Sequence, residues 1–356
     1  MFDFHTGARR PVTDDARARR LAAAQDLVQR TLARHGLDGA GLAPGLSTLS
    51  GQRATPFDPA PPRAGPSHKD TPEGARFLSG THQGKTGQRA YRTYVPASAA
   101  TGATGLVMML HGCTQSPEDF ATDTGMNALA ERHGFIVLYP EQSRGANAQS
   151  CWTWFSPGDQ RRDRGEPEIL AGIARTAMAQ YGVPAERTFV AGLSAGAAMA
   201  VILGATYPDV FAAAGAHSGL PFGAARDVGS AFAAMRGQGI DARPAPTGAG
   251  VRTIVFHGDA DATVHPSNGV AIALDADRTA PSPSLQTTRK GTANGRDFTV
   301  TMSTGPEGRT HSEHWVIGGL GHAWSGGRPG GSYTDPRGPD ASAEMIRFFF
   351  DHEGTS

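Results

Sequence analysis

Three segments of this chain carry residue types at spacings that suit acyl transfer. Gly192-Leu193-Ser194-Ala195-Gly196 follows a short apolar run and opens an Ala-rich stretch that ends near Tyr207. That is the pattern of strand, sharp turn and helix with a serine at the apex. The turn is strained, so the neighbours of the serine must be small, and the helix N-terminus beneath it favours developing negative charge. A serine nucleophile needs a base, the base needs an orienting acid, and the tetrahedral intermediate needs N–H donors. Asp259 and Asp261 sit in His257-Gly258-Asp259-Ala260-Asp261, after a continuous apolar run. Asp261 lies deeper in the loop and is preferred as the acid. Asp259 is the alternative, and a loop aspartate at a strand end is also a common turn residue. His322, in the glycine-lined segment 318–324, is the candidate base.

The chain order Ser194, Asp261, His322 is the α/β-hydrolase order, distinct from those of the chymotrypsin and subtilisin types. His111-Gly112-Cys113 follows the apolar run 106–110, where an oxyanion loop belongs, and the N–H groups of Cys113 and Ala195 are the expected oxyanion hole. His111 and His257 read as structural. Neither has metal-ligand spacing to another His, Cys or carboxylate, so no metal and no cofactor is assigned. Cys113 and Cys151 form either one bridge or two free thiols. Among the aromatics near these loops, Trp324 and Trp154 are the candidate substrate-binding rings, with core packing as the alternative for each.

These residues need a rigid frame. Segments 76–78 and 89–95 flank a Gly84–Gly87 turn and read as a hairpin. Buried strands are expected at 106–110, 135–139, 188–191, 211–215 and 251–256, with later strands at 298–302 and 314–317. Helices are expected near 125–133, over 166–181, after Ser194, and over 340–352. The alternation implies a mostly parallel central sheet with helices on both faces. The domain organisation reads as an amphipathic helix within 1–36, a Gly/Pro-rich linker over 37–74 and a catalytic domain over 75–356. The N-terminal helix packs on the core or on a second subunit, which leaves a homodimer open. Residues 220–250 are a candidate lid.

Lys+Arg and Asp+Glu are both 33, and this balance argues against a nucleic-acid or anionic-membrane binder. No stretch reaches the roughly 18 apolar residues of a membrane span. The first 20 residues have no apolar signal core, so the expectation is a cytoplasmic protein or one exported by a leader outside this sequence.

Taken together, His111-Gly112-Cys113-Thr114-Gln115, Cys151-Trp152-Thr153-Trp154-Phe155, Gly192 to Met199, His257 to Asp261 and Gly321 to Gly327 resemble the polyhydroxybutyrate depolymerase-type esterases over about 75–352. The resemblance implies an α/β-hydrolase fold, a Ser194–His322–Asp261 triad with Asp261 over Asp259, and oxyanion donors at Cys113 and Ala195. The expected activity is serine carboxylester hydrolysis of 3-hydroxybutyrate polyester or oligoester. The family is similar in turn to feruloyl and acetylxylan esterases and to poly(aspartic acid) hydrolases. An acidic polyamide is therefore a second expected substrate class, with the cluster Arg161-Arg162-Asp163-Arg164 as a candidate groove. A non-catalytic binding protein on the same fold is the remaining reading.

Overall fold

The computed structural model describes residues 71–239, 250–329 and 331–351. The expected N-terminal helix, the linker as far as residue 70, and residues 240–249 of the candidate lid lie outside the described residues. The described chain opens with a hairpin, β1 (Arg76–Gln83) and β2 (Gln88–Val95), followed by β3 (Leu106–Leu110). Two short helices, α1 (Pro117–Thr124) and α2 (Met126–His133), precede β4 (Ile136–Pro140). Next come α3 (Gly165–Tyr181), β5 (Thr188–Leu193), α4 (Ala195–Thr206), β6 (Ala213–His217) and α5 (Val228–Met235). After β7 (Arg252–Gly258) and α6 (Ser267–Arg278), three strands follow: β8 (Leu285–Ala293), β9 (Arg296–Thr304) and β10 (Thr310–Ile317). A two-residue pair, β11 (Trp324–Ser325) and β12 (Thr334–Asp335), precedes the closing helix α7 (Ala341–Phe350).

Ten strands form one sheet in the order β1-β2-β4-β3-β5-β6-β7-β10-β9-β8. The six central strands, β4 to β10 in that order, run parallel, while both edges are antiparallel. The sheet is thus mixed, with a parallel centre. Strand β8 has no counterpart among the expected elements. It turns into β9 through Asn294 (φ 45°) and Gly295 (φ 76°), the left-handed pair that a tight hairpin turn requires.

Parallel strands are buried on both faces, and so the central ones read as unbroken apolar runs. The two faces nevertheless divide by alternation. Leu106, Met108, Leu110 and Val190 pack with α3, α4 and α5, whereas Val107, Met109, Val137 and Phe189 pack with α1, α2 and α7. α6 joins the first face through Ile272 and Ala273 against Val255 and Ala216. Local chemistry fixes the helix ends. α1 starts on a capping box in which the Ser116 and Asp119 side chains accept each other's main-chain N–H, and it stops at the left-handed Gly125. No helix among the described residues is long and apolar enough to cross a membrane.

The strand order places a switch point between β3 and β5. The helices after β3 cover one face and the helix after β5 covers the other, which opens a crevice at the carboxyl ends of these two strands. Phe349 of α7 stacks on Phe189 of β5 with ring centroids 4.9 Å apart, beneath that crevice. Replacing Phe349 by Ala should cost about 3–5 kcal/mol of unfolding free energy, read as a lower urea midpoint at unchanged slope. A loss below 1 kcal/mol would show that the site collapses around the missing ring.

Candidate active site

The carboxyl end of β5 delivers Ser194 on a turn at φ 57°, ψ −119°. That region is costly for a non-glycine residue and is held only where the surroundings over-determine it. Here Leu193 pairs with His217 on β6, the Ser194 N–H donates to the His217 carbonyl at 2.9 Å, and the Ser194 carbonyl accepts from Ala198. The flanking glycines are dictated by contact. A Cβ on Gly192 would lie 2.5 Å from the Gly196 main chain, and one on Gly196 would collide with the Leu110 carbonyl. The turn is therefore clamped against the end of β3, where the next segment of the site begins.

That segment is His111-Gly112-Cys113-Thr114-Gln115. Gln115 Oε1 accepts the Gly112 N–H at 2.9 Å, and the Gln149 carbonyl accepts the Thr114 N–H at 2.8 Å. The Cys113 N–H between them has no hydrogen-bond partner among the described residues, nor does the Ala195 N–H at the start of α4. Both lie at the switch point. The His111 ring braces the loop: Nδ1 donates to the Gly112 carbonyl at 2.8 Å, and Nε2 accepts from the Gln142 N–H at 3.0 Å. Burial pushes this ring down to about 4, so it stays neutral in the tautomer that makes both bonds. The His111 carbonyl accepts from Trp152 Nε1 at 3.0 Å.

A disulfide joins Cys113 to Cys151, so the thiol alternative is excluded. The partner segment is anchored in turn by buried Glu166. Its carboxylate accepts from the Thr153 N–H at 2.8 Å and from Gln142 Nε2 and pairs with Arg89 at 3.0 Å. Burial raises its pKa, with Asp159 adding to the rise. From the far side, Gln115 Nε2 donates to Asp123 Oδ2 at 3.0 Å and to the Ser332 carbonyl at 3.2 Å. The Thr114 and Tyr333 hydroxyls meet at 3.2 Å, and both residues have left-handed backbone, φ 69° and 57°.

The loops after β7 and β10 bring Asp261 and His322 together. His322 Nδ1 donates to Asp261 Oδ2 at 2.8 Å. Asp261 Oδ1 accepts the Thr263 and Val264 N–H groups, both at 2.9 Å, and His257 Nε2 stands 3.5 Å from Oδ2 while donating to the Val264 carbonyl. Burial alone would raise this carboxyl. The His322 ring bonded to it, with His257 adding to the effect, outweighs burial and holds Asp261 well below the usual carboxylate range. Asp259, the alternative acid, is exposed and accepts the Gly319 N–H at 2.7 Å. It fastens the start of the His322 loop and does not meet the His322 ring. The Asp–His pair, the strained serine and the two unpartnered N–H groups all follow parallel strands at the carboxyl end of the sheet, and groups of these kinds can carry out proton transfer, nucleophilic attack and oxyanion binding.

Two expected substrate contacts are corrected. Trp324 is only 1% exposed; it stacks on His217, meets Phe120 edge-on, and donates Nε1 to Ser342 Oγ at 3.1 Å. Trp154 is 6% exposed and lies in the core with Ile169 and Leu170. Large rings next to a motif reach the core as readily as the cleft, and here the core takes both. The Arg162 guanidinium makes two bonds to Asp209 and covers the Tyr207 ring at 4.7 Å, so it is committed to this surface pair. In the candidate lid, Ala225, Ala231 and Ala234 are packed into the core.

One residue of the site was missed. His217 is fully buried at the end of β6. Its Nε2 accepts the Ser325 N–H at 3.0 Å and its Nδ1 meets Ser218 Oγ at 3.2 Å. A strand ended at residue 215 leaves it in a loop; the sequence signal was a histidine followed by Ser-Gly directly after a small-residue run. No group of three or more His, Cys, Asp or Glu that could hold a metal occurs among the described residues.

Residues 89–281 match the family described as Esterase PHB depolymerase. The chain is 37% identical over 187 residues to poly(3-hydroxyalkanoate) depolymerase C of Paucimonas lemoignei, covering 49% of this chain and 44% of that one. It is 31% identical over 192 residues to the probable acetylxylan esterase A of Aspergillus fumigatus, covering 49% and 51%. The chain spans about half the length of the curated relatives it matches. The acetyl xylan esterase structure from Aspergillus awamori superposes with a TM-score of 0.58 at 21% identity, over 77% of this chain and 98% of that one. The fold is that of an α/β-hydrolase.

Burial lowers three histidines around the sheet, His111 to about 4, His217 to about 3 and His314 to about 4. Each folded pKa lies below the ordinary 6.5, so the unfolded chain takes up protons first. The stability they contribute is full above pH 6.5 and is lost as pH falls toward 4, on the order of 1.4 kcal/mol per histidine per pH unit. Asp123, raised to about 6 by burial, and buried Glu166 act in the opposite sense and offset part of this loss. The melting temperature is expected to fall between pH 7.5 and pH 5, and an equal or higher value at pH 5 would contradict the assignment of these rings as neutral.

Proposed function

The chain belongs to the Esterase PHB depolymerase family, and on that premise we propose that it is a serine carboxylester hydrolase acting on 3-hydroxybutyrate polyester or its oligomers. The observation that carries this reading is the 2.8 Å bond from His322 Nδ1 to a buried, ionised Asp261. It commits the Nδ1 proton to the acid and leaves Nε2 as the lone-pair face of the ring.

In this mechanism His322 Nε2 takes the proton of Ser194 as Oγ attacks the ester carbonyl. The oxyanion is bound by the N–H groups of Cys113 and Ala195, with the positive end of α4 behind it. Collapse of the intermediate breaks the bond to the leaving alkoxide, which receives the proton from His322. The acyl-enzyme is then attacked by water, whose proton goes to Nε2. The second collapse returns that proton to Ser194 and releases the acid. Asp261 stays ionised throughout, orients the ring and stabilises its charged form.

The substrate class rests on the depolymerase relative. The acetylxylan esterase relative supports a second reading, release of acetate from an acetylated polysaccharide by the same steps. The polyamide reading has no comparable support, because Arg162 in its candidate groove is held by Asp209.

Side-by-side product analysis on a 3-hydroxybutyrate trimer and acetylated xylan, with Ser194→Ala as the blank, tests the reading. Ser194→Ala and His322→Ala are each expected to lower kcat by about 10⁶. Cleavage of the trimer supports the polyester reading, and acetate release alone hands the function to the second. Retained turnover in Ser194→Ala would overturn the mechanism. Asp261→Asn makes a sharper check. The two N–H groups on Oδ1 orient the amide so that its NH₂ faces His322 Nδ1, which must then accept, leaving the proton on Nε2. We expect kcat to drop by about 10⁴ with KM nearly unchanged; a drop under tenfold would remove Asp261 from its role.

A further inference from the structure

Besides the buried Trp324 and Ser325 side chains, the loop that carries His322 is bonded to two buried polar residues, Asp261 and His217, and only the first belongs to the proposed triad. His322 is held by Asp261, and a hydrogen bond of that kind leaves an imidazole free to pivot about its Nδ1. Three residues on, the Ser325 N–H is accepted by His217 Nε2 at 3.0 Å. The carbonyl of the same His217 accepts the Ser194 N–H at 2.9 Å. Directly after it, the Ser218 N–H donates to the Phe256 carbonyl of β7, the strand that leads to Asp261. Strand β6 lies between β5 and β7, so His217 stands where the nucleophile turn, the acid strand and the base loop can all be reached.

The ring itself is fixed. It is sandwiched between Phe256, 5.8 Å away at 12°, and Trp324, 5.1 Å away at 25°. Its Nδ1 meets Ser218 Oγ, and Ser218 is held at φ 53°. With the main-chain N–H of Ser325 as an obligate donor, Nε2 must be the acceptor and Nδ1 carries the proton. Burial, with His257 and His322 nearby, keeps the ring neutral by pushing it down to about 3. The acceptor is therefore present throughout the range in which a histidine base works. Nothing in the steps proposed for ester cleavage uses a proton of His217.

We propose that His217 is a positioning residue that ties the His322 loop to the Ser194 turn and so sets the distance over which the proton moves between them. This rests on the triad reading given above. Misplacing a reacting group by a fraction of an ångström affects the chemical step and leaves substrate affinity largely alone.

The test separates the acceptor from the ring. His217→Phe keeps an aromatic ring between Phe256 and Trp324 but removes the acceptor, and His217→Gln keeps an acceptor at the reach of Nε2 but removes the ring. Both are compared with wild type, Ser194→Ala and His322→Ala on a short-chain p-nitrophenyl ester, with active sites titrated by a fluorophosphonate and melting curves recorded in parallel. His217→Phe is expected to lose on the order of 10- to 100-fold in kcat per titrated site, with KM within about twofold of wild type. His217→Gln is expected to recover at least a third of the lost activity on a logarithmic scale. A role in packing alone would lower the melting temperature and the titrated fraction of both variants while leaving kcat per site unchanged, and that outcome overturns the proposal. So does a Gln variant no faster than the Phe variant. Should His217→Phe not fold, His217→Leu, which also lacks the acceptor, takes its place: a loss of kcat per site at unchanged KM that His217→Gln partly recovers upholds the tie, and unchanged kcat per site overturns it. If Ser194→Ala or His322→Ala retains activity, the triad reading itself has failed, which is a distinct result.

Discussion

An ionised carboxylate shut away from water must have its lone pairs answered by the protein, because burying an unpaired charge costs far more than a fold can spare. Asp261 is where that requirement organises this molecule. Its side chain has no solvent contact, and three N–H donors converge on it, two from the main chain of its own loop and one from the His322 ring, with the His257 ring 3.5 Å away. Each donor fixes a piece of structure. The Thr263 and Val264 amides curl the loop after β7 back on itself. His257 spans from the strand end to Val264, and His322 brings the loop after β10 across the top of the sheet. Remove the charge and all three lose their reason to converge.

The other half of the crest is built on a different principle. Around Cys113 the donors are deliberately left over. Gln115, Gln149 and Gln142 take up the neighbouring polar groups of the loop, and the disulfide and Glu166 fix the backing segment. What survives unpaired is the Cys113 N–H at the switch point, like the Ala195 N–H at the start of α4. The proposed oxyanion site gains from being rigid before the reaction starts, since its dipoles need no reorganisation when charge develops. The contrast with Asp261 is instructive: one buried group is saturated to keep its charge, and one pair of donors is left unpaired where the proposed mechanism develops charge.

Much of the frame was legible from the chain. The Ser194 turn announces itself through glycines that contact geometry demands at 192 and 196, and the buried strands through apolar runs that only a two-sided sheet can cover. The meeting of His322 with Asp261 could be anticipated from chain order and from where each loop leaves its strand. Depth was not legible. Trp324 and Trp154 sit beside chemically important residues in sequence, and nothing in a one-dimensional pattern tells whether a ring turns outward or into the core. Strand β8 escaped because Leu285 to Ala293 is exposed along most of its length and lacks apolar alternation, although the Asn294-Gly295 turn after it was a usable sign. His217 escaped for a related reason: a polar residue closing a buried strand reads as the first residue of a loop. Whether Cys113 and Cys151 are joined depends on how the chain returns after β4, which spacing alone does not determine.

The proposed reacting groups are fastened almost wholly through main-chain atoms and fully enclosed side chains. The serine turn is held by a carbonyl of β6 and an N–H of α4, the acid by amides of its own loop, and the base loop in part by a ring under the surface. Exposed side chains of the acid loop, Ala260 and Ala262, take no part in these bonds. Such an arrangement separates two kinds of inheritance. The chemistry is carried by a buried scaffold that tolerates little change, while the rim that meets the acyl and alcohol portions of an ester can be rewritten residue by residue.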